Sequence, residues 1–181
     1  ESDIVRHYSP FTSKEGVLKN DDNITGVLLK GVDTLYDSRF YATKILEGEF
    51  PRLGAEPRTK DILISERIAA KMDVAVGDKI EMLFVDMDGG VLRDRFLISG
   101  IYNTGVDVLD ERFVITDMRN VARHYDGDND VVTGYELWLE EDVDKALAKE
   151  QLNTSFVDLY FEMGINAEAY TMEDIYPQIF G

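Results

Sequence analysis

The alternation of apolar and polar positions is most regular between residues 61 and 105. Ile62-Leu63-Ile64 is a short β-type run that stops at Ser65, whose hydroxyl suits a helix N-cap because it can accept from a free first-turn N–H. Ile68, Ala69 and Met72 follow at helical spacing on one face. Val74-Ala75-Val76 then leads into Gly77-Asp78, a turn signal in which Gly77 is expected to hold a positive φ. Two strand-like runs come next, 79–85 and 95–102, separated by Asp86-Met87-Asp88-Gly89-Gly90, which has hairpin-loop chemistry. The pattern predicts strand, short helix, turn, strand, hairpin, strand. Its glycines fall where the backbone must turn, not where a phosphate would need a cradle.

The flanks are read the same way. Ile4, Val5 and Tyr8 lie at helical spacing and predict the end of a helix, stopped by Ser9-Pro10. Residues 11–19 and 24–31 read as strands joined by the polar turn Asn20-Asp21-Asp22-Asn23. A helix is expected from Asp33, with Thr34 and Asp37 in capping-box spacing, apolar Leu35, Phe40, Ala42, Ile45 and Leu46, and Gly48 and Pro51 ending it. Residues 52–60 form a loop and a candidate lobe boundary. Further on, 112–116 is a strand, 117–125 gives one or two helical turns, and 134–139 is a strand carrying the single tryptophan, Trp138. A long helix is expected over 141–163, with Val143, Leu147, Leu152, Phe156, Leu159, Tyr160 and Met163 as its apolar stripe. Gly164 caps it, 167–171 reads as a last strand, and Thr171 caps a final turn. In all, about eight strands and three to five helices are expected, an α+β arrangement.

Composition narrows the function. Nineteen basic residues against 36 acidic ones give a formal charge of −17, which argues against nucleic acid and anionic membrane surfaces as partners. There is no cysteine, so disulfides, thiolate catalysis and cysteine-based metal sites are excluded. No apolar run approaches the ~20 residues needed to span a bilayer.

Candidate chemistry is sparse. Asp126, Asp128 and Asp130 match positions 1, 3 and 5 of a calcium loop, but Val131 and Leu137 stand where the sharp-turn glycine and the bidentate glutamate belong. A solvated acidic loop is expected there, with a calcium-dependent binding module as an alternative. His7 and His124 have no partner at zinc-ligand spacing and are expected at the surface or half-buried. The phosphate-binding and nucleophile motifs are missing, so no catalytic residue, no cofactor and no enzymatic activity are expected. Tyr8, Phe11, Tyr36, Phe40, Tyr41, Phe156, Tyr160 and Phe161 concentrate in the two end thirds and predict a core shared by both chain ends, with Phe11 and Phe156 in or near it.

Five segments in order carry a resemblance: Gly31-Val32-Asp33, Ile64-Ser65-Glu66-Arg67-Ile68-Ala69, Val76-Gly77-Asp78, Phe96-Leu97-Ile98-Ser99-Gly100-Ile101-Tyr102 with Thr104-Gly105, and Gly134-Tyr135-Glu136-Leu137-Trp138-Leu139. Together they resemble the extracytoplasmic domain of the FtsX/MacB-like ABC transporter permeases, closest to the lipoprotein-releasing LolC/LolE type. The resemblance implies a two-lobed periplasmic domain of an inner-membrane protein. A porter-like α/β lobe is made from both chain ends, 1–60 and 134–181, with a β-rich lobe, 61–133, inserted between them. It implies a segment of a longer protein, lying between two membrane helices, with both ends emerging on one side. The implied partners are a second permease subunit, a cytoplasmic ATPase, and a lipoprotein or periplasmic carrier. An FtsX-like regulator of a cell-wall hydrolase is the alternative role on the same fold. In the LolC type a long, proline-bearing apolar loop docks the carrier. The matching stretch here, 86–94, is short, has no proline and offers only Met87, Val91 and Leu92 as apolar partner contacts. It is therefore not expected to capture a carrier by itself.

Overall fold

The structure is a computed structural model that describes residues 4–86, 88–125 and 131–177. The chain folds as two compact units, residues 4–8 with 137–177, and residues 9–136. The expected boundaries lay after residues 60 and 133. They differ because strands on both sides of residue 60 share one sheet and one core.

In the larger unit, β1 (Val5–Asn20) and β2 (Asn23–Val32) form the expected hairpin, with Asp21 at φ 51° in its turn. β4 (Asp61–Ser65), β5 (Lys79–Val85), β6 (Val91–Tyr102) and β7 (Phe113–Asp117) complete a set of six strands whose pairings close on themselves: β1–β2–β7–β4–β6–β5 and back to β1. The closing contact is Val17, Leu18 and Lys19 of β1 against Leu83, Met82 and Glu81 of β5. The two parallel pairs, β2–β7 and β4–β6, flank the antiparallel pair β4–β7, and the other three pairs are antiparallel. All six strands contribute to one buried cluster that includes Leu18, Leu29, Ile64, Met82, Phe96 and Val114. Ile68, Ala69 and Met72 of α2 (Glu66–Met72) pack into it, as their spacing predicts.

A second cluster explains why β4 is buried at every position. Leu63 of β4 and Ile115 of β7 point away from the first cluster and pack with Val32, Tyr41 and Tyr102. Phe11, Tyr36, Phe50 and Leu53 cover them. A strand buried on both faces reads as a continuous apolar run rather than an alternation. The Tyr102 hydroxyl donates to the carbonyl of Phe113 at 2.8 Å, so this large buried ring leaves no polar atom stranded.

The segment 33–48 departs from the expected helix. Only α1 (Arg39–Ala42) is helical, and Ile45–Gly48 is β3, paired with β6. Asp33 Oδ1 accepts from the Leu35 N–H at 2.9 Å, and Asp37 Oδ1 from the Arg39 N–H at 3.1 Å. These local turns compete with the helix that the capping-box spacing suggested. The loop 52–60 is not a lobe boundary. Arg52 pairs with buried Asp61 at 2.9 Å, the Gly54 N–H donates to Asp117 Oδ2 at 2.9 Å, and Asn120 Nδ2 donates to the Thr59 carbonyl at 2.9 Å. α3 (Asp107–Arg112), which no sequence signal announced, and α4 (Met118–Ala122), capped by Asp117, complete the unit.

In the smaller unit the expected N-terminal helix is instead the start of β1, since the residue before a proline favours extended backbone and Ser9-Pro10 continues the strand. β8 (Gly134–Leu139) lies beside β1. The Glu140 N–H donates to the Ile4 carbonyl at 3.1 Å, and the His7 and Trp138 rings meet tilted, with centroids 5.2 Å apart. α5 (Lys145–Met163) begins at the Asp144 cap and ends at Gly164, φ 70°. Its expected apolar stripe is covered only in part: Ala148 is the one fully buried residue, while Leu147, Tyr160 and Met163 are exposed. Leu152, Phe156 and Leu159 are half-buried in line with Ala148, so one edge of the stripe turns inward while Val157 and Phe161 face solvent. The expected strand 167–171 is not formed; the Asn153 side chain holds the Ala169 backbone instead, accepting from its N–H at 2.7 Å. α6 (Met172–Ile175) has the capping box of Thr171 and Asp174. Phe11 and Phe156 belong to different units, so the core expected from both chain ends is not one core.

Candidate partner-binding surface

The β5–β6 hairpin carries the candidate contacts. Its register runs from Lys79↔Leu97 to Val85↔Val91, so the turn is only residues 86–90. The Asp86 N–H donates to the Gly90 carbonyl at 2.8 Å, and Gly89, at φ 79°, donates to the Asp86 carbonyl at 2.9 Å. Val91 and Leu92, expected on the tip, are paired strand residues, 58% and 36% exposed. Val85, opposite Val91, is 69% exposed and extends the same apolar edge. Met87 lies outside the described residues, as does the acidic loop 126–130 considered for calcium. Among the described residues no cluster of three metal-ligating side chains occurs.

The hairpin is tied to the body at Asp94. This carboxylate is 2% exposed. It accepts from His124 Nε2 at 2.8 Å and from Lys60 Nζ, and the Arg123 guanidinium lies 3.5 Å away. Burial alone would raise Asp94, but the bonds from His124 and Lys60, the Arg95 N–H and the Arg123 charge outweigh it and hold the carboxyl far below its usual range. His124 was expected at the surface or half-buried; its side chain is 7% exposed and its ring packs tilted against Phe84 with centroids 4.5 Å apart. A signal for this site exists in the sequence. Period two through β6 puts Asp94 in line with inward Phe96 and Ile98, and a lone carboxylate on an inward row needs a cationic partner.

Residues 1–155 match the family model described as the MacB-like periplasmic core domain. A curated relative, the lipoprotein-releasing system transmembrane protein LolC of Buchnera aphidicola subsp. Acyrthosiphon pisum (strain APS), is 22% identical over 144 residues, covering 75% of this chain. The chain spans 35% of that protein's length. Two solved structures share the fold. The extracellular domain of the noncanonic ABC-type transporter YknZ from Gram-positive bacteria aligns with a TM-score of 0.59 at 14% identity, over 91% of this chain and 79% of that one. The periplasmic region of MacB from Actinobacillus actinomycetemcomitans aligns with a TM-score of 0.54 at 16% identity, over 89% and 70%. The α+β architecture and the matched length agree with one conclusion: the chain belongs to the MacB-like periplasmic core domain family, a periplasmic domain of ABC transporter permeases.

Proposed function

We propose that this domain serves a permease subunit that couples ATP hydrolysis by a cytoplasmic partner to lipoprotein release on the outer side of the membrane. The observation that carries the reading is the family match over residues 1–155, supported by the LolC relative. The work is mechanical: nucleotide at a distant site biases one of two arrangements, and this domain passes the change to a substrate or carrier. A second permease subunit and the ATPase are the partners on the membrane side. Val91 and Leu92, with Met87, are proposed contacts to a partner outside. Their area falls short of the roughly 1,200 Å² of a stable interface, so they contribute to docking without holding a carrier alone.

The test is reconstitution of the full-length permease and its ATPase in proteoliposomes loaded with a lipidated reporter protein. Release that requires ATP and stops when this domain is deleted is the expected result. ATP hydrolysis without reporter release would overturn the lipoprotein assignment.

A further inference from the structure

The larger unit carries a groove of about 990 Å³ whose electrostatics oppose those of the chain as a whole. The protein has 19 basic against 36 acidic residues, yet the groove is lined by Lys14, Arg67, Lys71 and Arg112 against only Glu15 and Glu111. The arginines are already engaged, Arg112 with Glu15 at 3.1 Å and Arg67 with both Glu111 at 2.9 Å and Asp107 at 3.1 Å, which, among the described residues, leaves the two lysines as the groove's uncompensated cations. Lys14 lies over the Tyr125 ring, 4.5 Å from its centroid. Lys71 is exposed and has no ion-pair partner among the described residues. A local excess of cations inside a strongly acidic surface selects for an anionic ligand, since the surrounding field repels one everywhere else.

The floor is apolar and flat. Gly26, Val17 and Leu83 stand side by side across β2, β1 and β5. Val17 is left partly exposed because its neighbour Gly26 has no side chain to cover it. A Cβ at Gly26 would meet nothing within 4 Å, so the space above it is open. A glycine inside a strand marks a place where another backbone can approach closely.

We propose that this groove binds an acidic, extended peptide segment of a partner protein. Its apolar side chains lie on the Val17–Leu83 floor and its carboxylates reach Lys71 and Lys14. The cations are spread over β1, α2 and α3 with carboxylates between them. That arrangement fits charges spaced along a peptide better than the compact charge of a phosphate headgroup, which needs convergent donors.

The experiment titrates the 181-residue chain into a fluorescently labelled peptide of alternating glutamate and valine, read by anisotropy. The same peptide with lysine in place of glutamate is the control. Vesicles of phosphatidylglycerol are a competing arm. Expected are saturable binding of the acidic peptide only, weakening with salt, no competition by vesicles, and loss of about tenfold in affinity for Lys71→Glu. Gly26→Trp, which fills the groove without touching a charge, abolishes binding while circular dichroism stays native. Equal binding of both peptides, binding unchanged in both variants, displacement by vesicles, or no saturable binding would each overturn the proposal.

Discussion

Nε2 of His124 sits 2.8 Å from Oδ2 of Asp94, and both side chains are almost out of solvent. His124 lies just past the Arg123 cap of α4 and Asp94 on the inward row of β6, so this bond ties the root of the hairpin to the rest of the larger unit. Lys60 and Arg123 share the same carboxylate. Replacing Asp94 with Ala strands these groups together. Because Lys60 and Arg123 keep about a third of their surface in water, the cost falls below that of a fully buried pair, at about 2 kcal/mol. Urea denaturation measures it, and an unchanged midpoint would refute the role given to Asp94.

The same carboxylate sets an acid limit. Asp94, Asp61 and Asp117 all titrate below the usual 3.8 in the folded chain, where cationic and N–H partners outweigh burial. Their contribution is therefore complete above about pH 5 and is lost as pH falls through the unfolded value toward the folded ones, because the unfolded chain takes up protons first. Urea midpoints should be flat from neutral pH to about pH 5 and then fall. The fall should be shallower in Asp94→Asn.

Two glycines separate backbone strain from crowding. Gly77 has the expected positive φ, 93°, and its missing Cβ would meet nothing within 4 Å. Gly77→Ala should cost about 1 kcal/mol, all of it conformational. Gly48, at φ 74°, would place a Cβ 2.2 Å from the Ser99 carbonyl oxygen. Gly48→Ala must also push β3 off β6, and should cost more than twice as much as Gly77→Ala. Thermal melts of the two variants rank them; equal shifts would contradict this account.

The hairpin makes its own prediction. Val91→Ser with Leu92→Ser should leave stability within about 0.5 kcal/mol, since both side chains are substantially exposed. A pull-down with the cognate carrier should retain none at micromolar concentration on the wild-type domain. Micromolar binding that the double variant removes would show that this short hairpin is a docking arm after all.

What could be read in advance was local. Ser65 accepts from the Ile68 N–H at 3.0 Å, Gly77 turns, and residues 86–90 reverse the chain, each as its residue chemistry dictates. What was hidden depends on distant partners. Asp33 and Asp37 cap turns rather than a helix, because β3 is needed beside β6. The apolar residues of α5 suggested a buried face, but burial requires a partner surface that spacing does not reveal. Asp94 and His124 are 30 positions apart, and only β6 and α4 in place bring them together.

The closed ring of strands also constrains how the molecule is made. β1 and β2 pair over ten positions as soon as both exist, because one turn joins them. The ring still lacks its remaining walls at that point. β5 must arrive to take up Val17 to Lys19, and Leu28 of β2 waits for Phe113 of β7. Each of these closures costs the entropy of a long loop before any contact rewards it. A hairpin formed early and exposed until β7 arrives is the expected order of assembly, with the closing step as the slow one. During synthesis that step cannot occur until most of the larger unit has emerged.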